Sequence, residues 1–204
     1  MKAWFAAIAL LFAAPALAVA QPQDISRPGT VPHAAARAGF PEQVGEFRRT
    51  HVLRFGENDI SANYDLRRDG ALLRLSIYIY PAPHVPRGDR VNACRAEMEN
   101  IQAGIVDNHE RARRLESGEA PALPETEAGL RLRVLHNVPM MWGDEFVDIR
   151  RESILYCYVG GDWLVKYFAS ASPRFPAAEI GPAIDAFMRA GPWPGRGVGA
   201  IASR

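Results

Sequence analysis

The sequence predicts an α+β fold: a single domain on an antiparallel sheet of about six strands, in the order β-β-β-α-β-β-β-α, with helices packed on the sheet. Residues 71–80 alternate apolar and polar side chains with period two, as a strand does. Residues 89–115 instead place apolar side chains at steps of three and four, tracing a stripe on a helix. Tight-turn signals join strand-like runs directly, without a repeated β-α alternation, so the pairing is expected to be antiparallel.

The first two strands are expected over residues 47–55 and 60–66. The turn Arg68-Asp69-Gly70 leads into the third, where Leu73, Leu75, Ile77 and Ile79 alternate with Arg74, Ser76, Tyr78 and Tyr80. Pro81, Pro83 and Pro86 end it, because proline lacks the N–H a central ladder needs. In the helix that follows, Val91, Cys94, Met98, Ile101 and Ile105 form the inner stripe. Arg95, Glu97 and Glu99 point away, Asp89 serves as N-cap and Gly118 as the stop. Strands return over residues 130–137, 145–159 and 163–170, the last two joined by Gly160-Gly161-Asp162. A closing helix over residues 177–189 turns Ile180, Ile184 and Phe187 or Met188 inward.

Outside this unit, residues 40–190, the chain is expected to be loose. Residues 21–39 hold three prolines and two glycines with few large apolar side chains, and read as a disordered linker. Residues 191–204 read as a flexible tail. Residues 1–20 have the pattern of a secretory signal peptide: Lys2, an apolar run, Pro15, and the A-x-A box Ala18-Val19-Ala20 before Gln21. Cleavage is expected after Ala20, or after Ala18 by the second box. An uncleaved anchor is the rival, disfavoured because half of residues 3–20 are alanine. The expected product is a soluble exported protein, periplasmic or secreted, with no stable membrane span.

The charge balance narrows the partners. Among 204 residues, 24 Lys+Arg face 23 Asp+Glu, which lacks the broad basic footprint of nucleic-acid binding. Only Lys2 and Lys166 are lysines; the other 22 basic residues are arginine, so arginine clusters carry less functional weight than usual.

Two cysteines follow the signal. Cys94 lies on the helix stripe and Cys157 on the Leu155, Cys157, Val159 face of a strand, so both reach one helix–sheet layer. In an oxidising compartment such a pair is expected to form a disulfide, against the alternative of two buried thiols. A redox-catalytic pair is disfavoured, since there is no C-x-x-C.

A search for chemistry finds no zinc-ligand spacing, nucleophile elbow or S-x-x-K, and the glycines after residue 194 follow a helix instead of preceding one. No metal or cofactor is expected. His136 falls in line with Leu130, Leu132 and Val134, the place of a hydrogen-bonded histidine at a core edge; His33 falls in the linker and His109 on a solvated helix end. What stands out is a tyrosine- and arginine-rich set: Arg74, Tyr78 and Tyr80 on one strand, Arg131 and Arg133 on another, Tyr156 and Tyr158 on a third. If the sides coincide opposite the cysteines, they form a binding surface of residues favoured at hot spots. The alternative is that the closing helix covers them. Trp142 is a second candidate anchor, in a loop.

The element order and the strand Leu75-Ser76-Ile77-Tyr78-Ile79-Tyr80-Pro81, placed after a signal peptide, resemble small exported α+β domains of the PsbP-like kind. The resemblance covers residues 40–190 and implies a non-enzymatic accessory or assembly role. The expected function is therefore an exported, non-catalytic binding or accessory module of the bacterial cell envelope, its partner an envelope protein or a small ligand. The alternative is a small periplasmic hydrolase using His51 or His84 with Asp144, Glu145 or Asp148.

Overall fold

The computed structural model describes residues 21–83, 90–108, 112–123, 129–142 and 145–195; the signal-peptide expectation, Asp89, His84, His109, Asp144 and residues 196–204 lie outside these. Four short strands open the chain: β1 (Gln23–Asp24), β2 (Val31–His33), β3 (Ala38–Phe40) and β4 (Gln43–Val44). Then come β5 (Phe47–Gly56), β6 (Asp59–Arg68), β7 (Ala71–Pro81), α1 (Arg90–Asn108), β8 (Arg113–Glu119), β9 (Leu130–Trp142), β10 (Glu145–Gly160), β11 (Trp163–Ala171) and α2 (Ala177–Ala190).

This corrects the expected α+β domain of about six strands. The fold is mostly sheet: nine strands form one antiparallel sheet, β2 and β3 a separate hairpin, and two helices complete the described elements. The six long strands stand close to where the alternation put them. The additions are β1 to β4, whose two or three residues are too few to show a period, and β8, a seven-residue strand whose one large apolar side chain, Leu115, gives no alternation. Leu115 and Gly118, expected to end a longer helix, lie in β8 instead.

The sheet runs β1-β5-β6-β7-β11-β10-β9-β8, with β4 paired to β5. Two meanders, β5-β6-β7 and β8-β9-β10-β11, are thus joined through β7 and β11. The chain leaves β7 in the middle of the sheet and enters β8 at its far edge. Among the described residues α1 makes that crossing, packed on β9 and β10. Its turns follow the sequence: Asp69 and Gly70 take φ of 48° and 77°, both left-handed, as a tight two-residue hairpin requires.

Both faces of the middle of the sheet are covered, so β10 reads Ile154-Leu155-Tyr156-Cys157-Tyr158-Val159 without a polar side. On one face Tyr64, Leu75, Ile77, Tyr158 and Tyr167 meet Ile184, Phe187 and Met188 of α2. Phe187 stacks edge-on against Phe47 and Tyr64, with ring centroids at 5.1 and 4.9 Å. On the other, Leu132, Leu155, Cys157 and Leu164 meet Ala93, Cys94 and Met98 of α1. There the Cys94 and Cys157 sulfurs stand at disulfide distance, 2.12 Å.

The expected linker, residues 21–39, is a second correction. It pairs with the sheet through β1, folds back as the β2–β3 hairpin, and buries Val31, His33, Ala36 and Ala38 in the α2-side core. Three backbone carbonyls, of Arg27, Gly29 and Phe40, accept from the Arg49 guanidinium, so one side chain holds the loop that composition alone made look free. The start of the expected tail is ordered too: Trp193 is buried, and the Gly195 N–H donates to the Ala36 carbonyl at 2.9 Å.

Candidate functional site

Strand register decides which of the predicted side chains meet. Across the sheet Tyr78 stands opposite Lys166, and Lys166 opposite Cys157, so Arg74, Tyr78 and Tyr80 share the cysteine-bearing, α1 side. Tyr156 stands opposite Arg131 and Ile154 opposite Arg133, which puts Arg131, Arg133, Tyr156 and Tyr158 on the α2 side. The arginine–tyrosine set is therefore split between two faces. Period two assigns two sides to each strand, but only the pairing register says which sides coincide.

The α2-side members are structural. Tyr156 and Tyr158 are buried, and the Tyr158 hydroxyl donates to the Pro121 carbonyl at 2.8 Å. Arg131 and Arg133 both donate to Glu116 of β8, whose carboxyl they hold below its usual range, Arg133 by the stronger hydrogen bond. Trp142 ends β9 instead of sitting in a loop, and its side chain lies outside the described residues.

The α1 side carries the more telling group. Lys166, the only lysine after the second residue, projects from β11 and donates to Glu97 of α1 at 2.8 Å. Both side chains are largely enclosed, at 16% and 22% exposure, which is unusual for a charged pair. The ammonium also lies 4.8 Å from the centre of the Tyr78 ring and 5.3 Å from that of Tyr80, within cation–π range. Glu97 was expected to face solvent; the crossing of α1 over β11 turns it inward instead.

Electrostatics divides the carboxylates here. Burial raises the Glu97 pKa, but the Lys166 ammonium and the Tyr80 hydroxyl outweigh it and hold the group below its ordinary value. Asp59, at the start of β6, is pushed up by burial, with Lys166 only partly compensating. Burial likewise raises the phenols of Tyr78 and Tyr80.

From this pair outward the face opens. Phe55, 45% exposed, packs on Tyr78 with ring centres 6.4 Å apart. The neighbouring rows are polar and satisfied: Ser76 donates to Asn63 at 2.6 Å, and the exposed Arg74 forks onto Asp65 at 2.8 and 3.1 Å. Charged and aromatic groups held in fixed positions on an open surface suit recognition. The sequence signal for Lys166 was its rarity in a chain that uses arginine almost throughout.

Of the hydrolase candidates, His51 is the one whose side chain lies among the described residues. His51 Nδ1 lies 3.0 Å from Asp24, and the two side chains are 58% and 49% exposed. Asp24 is lowered to about 2, chiefly by hydrogen bonds from Ser26 and then by His51. The side chains of Glu145 and Asp148 lie outside the described residues. A buried His136 does meet Ser153, Nε2 to Oγ at 2.8 Å, with Ser153 fully enclosed in mid-strand. Among the described residues no group of three or more His, Cys, Asp or Glu side chains is placed to hold a metal, and no helix is long and apolar enough to cross a membrane.

The chain matches no protein-family model, and no curated protein matches it in sequence.

Proposed function

We propose that this is an exported, non-catalytic binding module of the bacterial cell envelope, whose recognition surface is the open part of the α1-side face around Phe55, Tyr78 and Lys166. The observation that carries the reading is the enclosed Lys166–Glu97 pair, stacked on two tyrosines and bordered by an exposed phenylalanine. Such a set offers apolar area, a fixed dipole and preset side chains, the features that concentrate binding energy in a few residues. The role agrees with the accessory function that the PsbP-like resemblance implies, and export agrees with the signal-like first twenty residues and a cysteine pair at disulfide distance. The partner is an envelope protein.

The test is site-specific photo-crosslinking in intact cells. A photoreactive phenylalanine analogue at Phe55 should capture a discrete envelope partner, whereas the same analogue at Val106, equally exposed on α1 at 47%, should not. Adding Tyr78→Ala should abolish the adduct at position 55. No adduct from position 55, or equal adducts from both positions, would remove the surface from consideration. Recovered protein should begin at Gln21 or Val19; a precursor retained in the cytoplasm would overturn the export reading.

A further inference from the structure

A second surface lies on the opposite flank of α1. The crossing helix packs on β9 and β10, and its Arg95, Met98, Glu99 and Gln102 overhang the edge strand β8. These residues recur at steps of three, one and three, so they form one side of the helix. Beneath them β8 presents Ser117, paired with Leu132, and Gly118, both too small to fill the gap. A trough of about 270 Å³ remains.

Its chemistry is asymmetric. The floor is apolar: Met98 and Leu132 are buried, and Leu130 lies beside them. The mouth carries Arg95 and Arg114, both exposed, against the single carboxylate of Glu99. Other arginines near the sheet, Arg68, Arg74, Arg131 and Arg133, each hold a carboxylate. Arg95 and Arg114 form no ion pair among the described residues; Arg95 donates only to the Asn92 side-chain oxygen. An apolar floor under two guanidiniums that form no ion pair among the described residues complements a ligand with a greasy body and one anionic end, and a guanidinium fork matches a carboxylate.

We propose that this trough binds the free acid of a medium-length acyl chain, its tail along Met98, Leu130 and Leu132 and its carboxylate between Arg95 and Arg114. The size sets the chain length. About 270 Å³ of space open to solvent along one side suits a single short chain. The inference is independent of the recognition surface around Lys166, which lies on the other flank of the helix.

Titration calorimetry on the purified full chain, with hexanoate, octanoate and decanoate kept below their micelle concentrations, tests it. Affinity should rise by up to about fourfold per added methylene until the trough is filled. Ser117→Leu, which fills the space from an exposed strand position, should weaken octanoate at least tenfold with an unchanged circular dichroism spectrum. Arg114→Glu should weaken octanoate similarly while leaving octanol unaffected. Full octanoate affinity in Ser117→Leu, octanol binding as tightly as octanoate, or no binding of any acid below millimolar concentration would overturn the proposal. None of these outcomes bears on crosslinking from Phe55.

Discussion

Replacing both Cys94 and Cys157 by alanine opens a loop closed over 63 residues, and the cost can be worked from that separation. Restricting a chain of this length in the unfolded state is worth about 4 kcal/mol in the loop-entropy treatment. The figure is large beside the total stability of a domain, roughly 5–15 kcal/mol. The loop includes most of α1, all of β8 and β9, and most of β10. Of α1, Ala93, Cys94 and Met98 are buried on the sheet, and Ile101 and Ile105 pack on it partly buried. Urea unfolding followed by tryptophan fluorescence should show the midpoint of the double variant lowered by about 2 M, taking a slope of about 2 kcal/mol/M. Wild-type protein under reductant should fall to nearly the same midpoint, which separates the cross-link from the packing of two sulfurs. Amide exchange should accelerate most across residues 90–108. A loss below about 1 kcal/mol in both samples, or two alkylatable thiols in wild type expressed with its first twenty residues and recovered without reductant, would refute the reasoning.

Two further outcomes follow from buried contacts. His33 is buried with Nε2–H donating to the Ile79 carbonyl and Nδ1 accepting from the Ala36 N–H, both at 3.3 Å, so the neutral ring satisfies both neighbours. Burial depresses its pKa from 6.5, opposed only in part by backbone carbonyls, that of Ile79 foremost, and by the nearby Asp59. The unfolded chain therefore binds the proton first, and stability present above about pH 6.5 is lost as pH falls below it. Urea midpoints measured from pH 7.5 to 5 should decline in the parent and decline less in His33→Gln; parallel curves would exclude His33 as the source. Gly129→Ala should destabilise by roughly 1–3 kcal/mol through overpacking, because a methyl group there would stand 2.4 Å from the Tyr158 ring and 2.8 Å from the Cys157 carbonyl. Thermal unfolding reads this directly, and an unchanged midpoint would show that the Tyr158 ring moves aside freely.

The parts of the fold that were legible in the sequence are those whose pattern is local. Leu73, Leu75, Ile77 and Ile79 alternate visibly, Asp69-Gly70 needs left-handed backbone, and the stripe through Cys94, Met98, Ile101 and Ile105 faces the sheet as its spacing implies. The side chain of His136 also stands where its strand phase placed it, against Ser153. What was not legible depends on partners distant in the chain. Residues 21–39 look like a linker until Arg49 supplies donors to their carbonyls, a contact with no local signature. Likewise the two sides of β7 and β10 can be written down from sequence, yet bringing Tyr78 to the cysteine side and Tyr156 to the other requires β11 to lie between them.

The placement of β11 is also what gives α1 its two flanks. Because β11 returns to pair with β7, the chain must pass from the sheet's middle to its edge over β11, β10 and β9 before it can form β8. A helix carrying that crossing meets a long side chain from β11 on one side and small edge residues from β8 on the other. On the first side the contact is Glu97 with Lys166; on the second it is the unfilled space above Ser117 and Gly118. The Cys94 and Cys157 sulfurs, at disulfide distance, hold the helix against β10 between these two sides. A helix free to shift would change the width of the trough and the reach of Glu97 together, so reduction of the cysteine pair should weaken acyl-acid binding and capture from Phe55 in the same sample. If one of the two survives reduction unchanged, the position of α1 does not govern that surface.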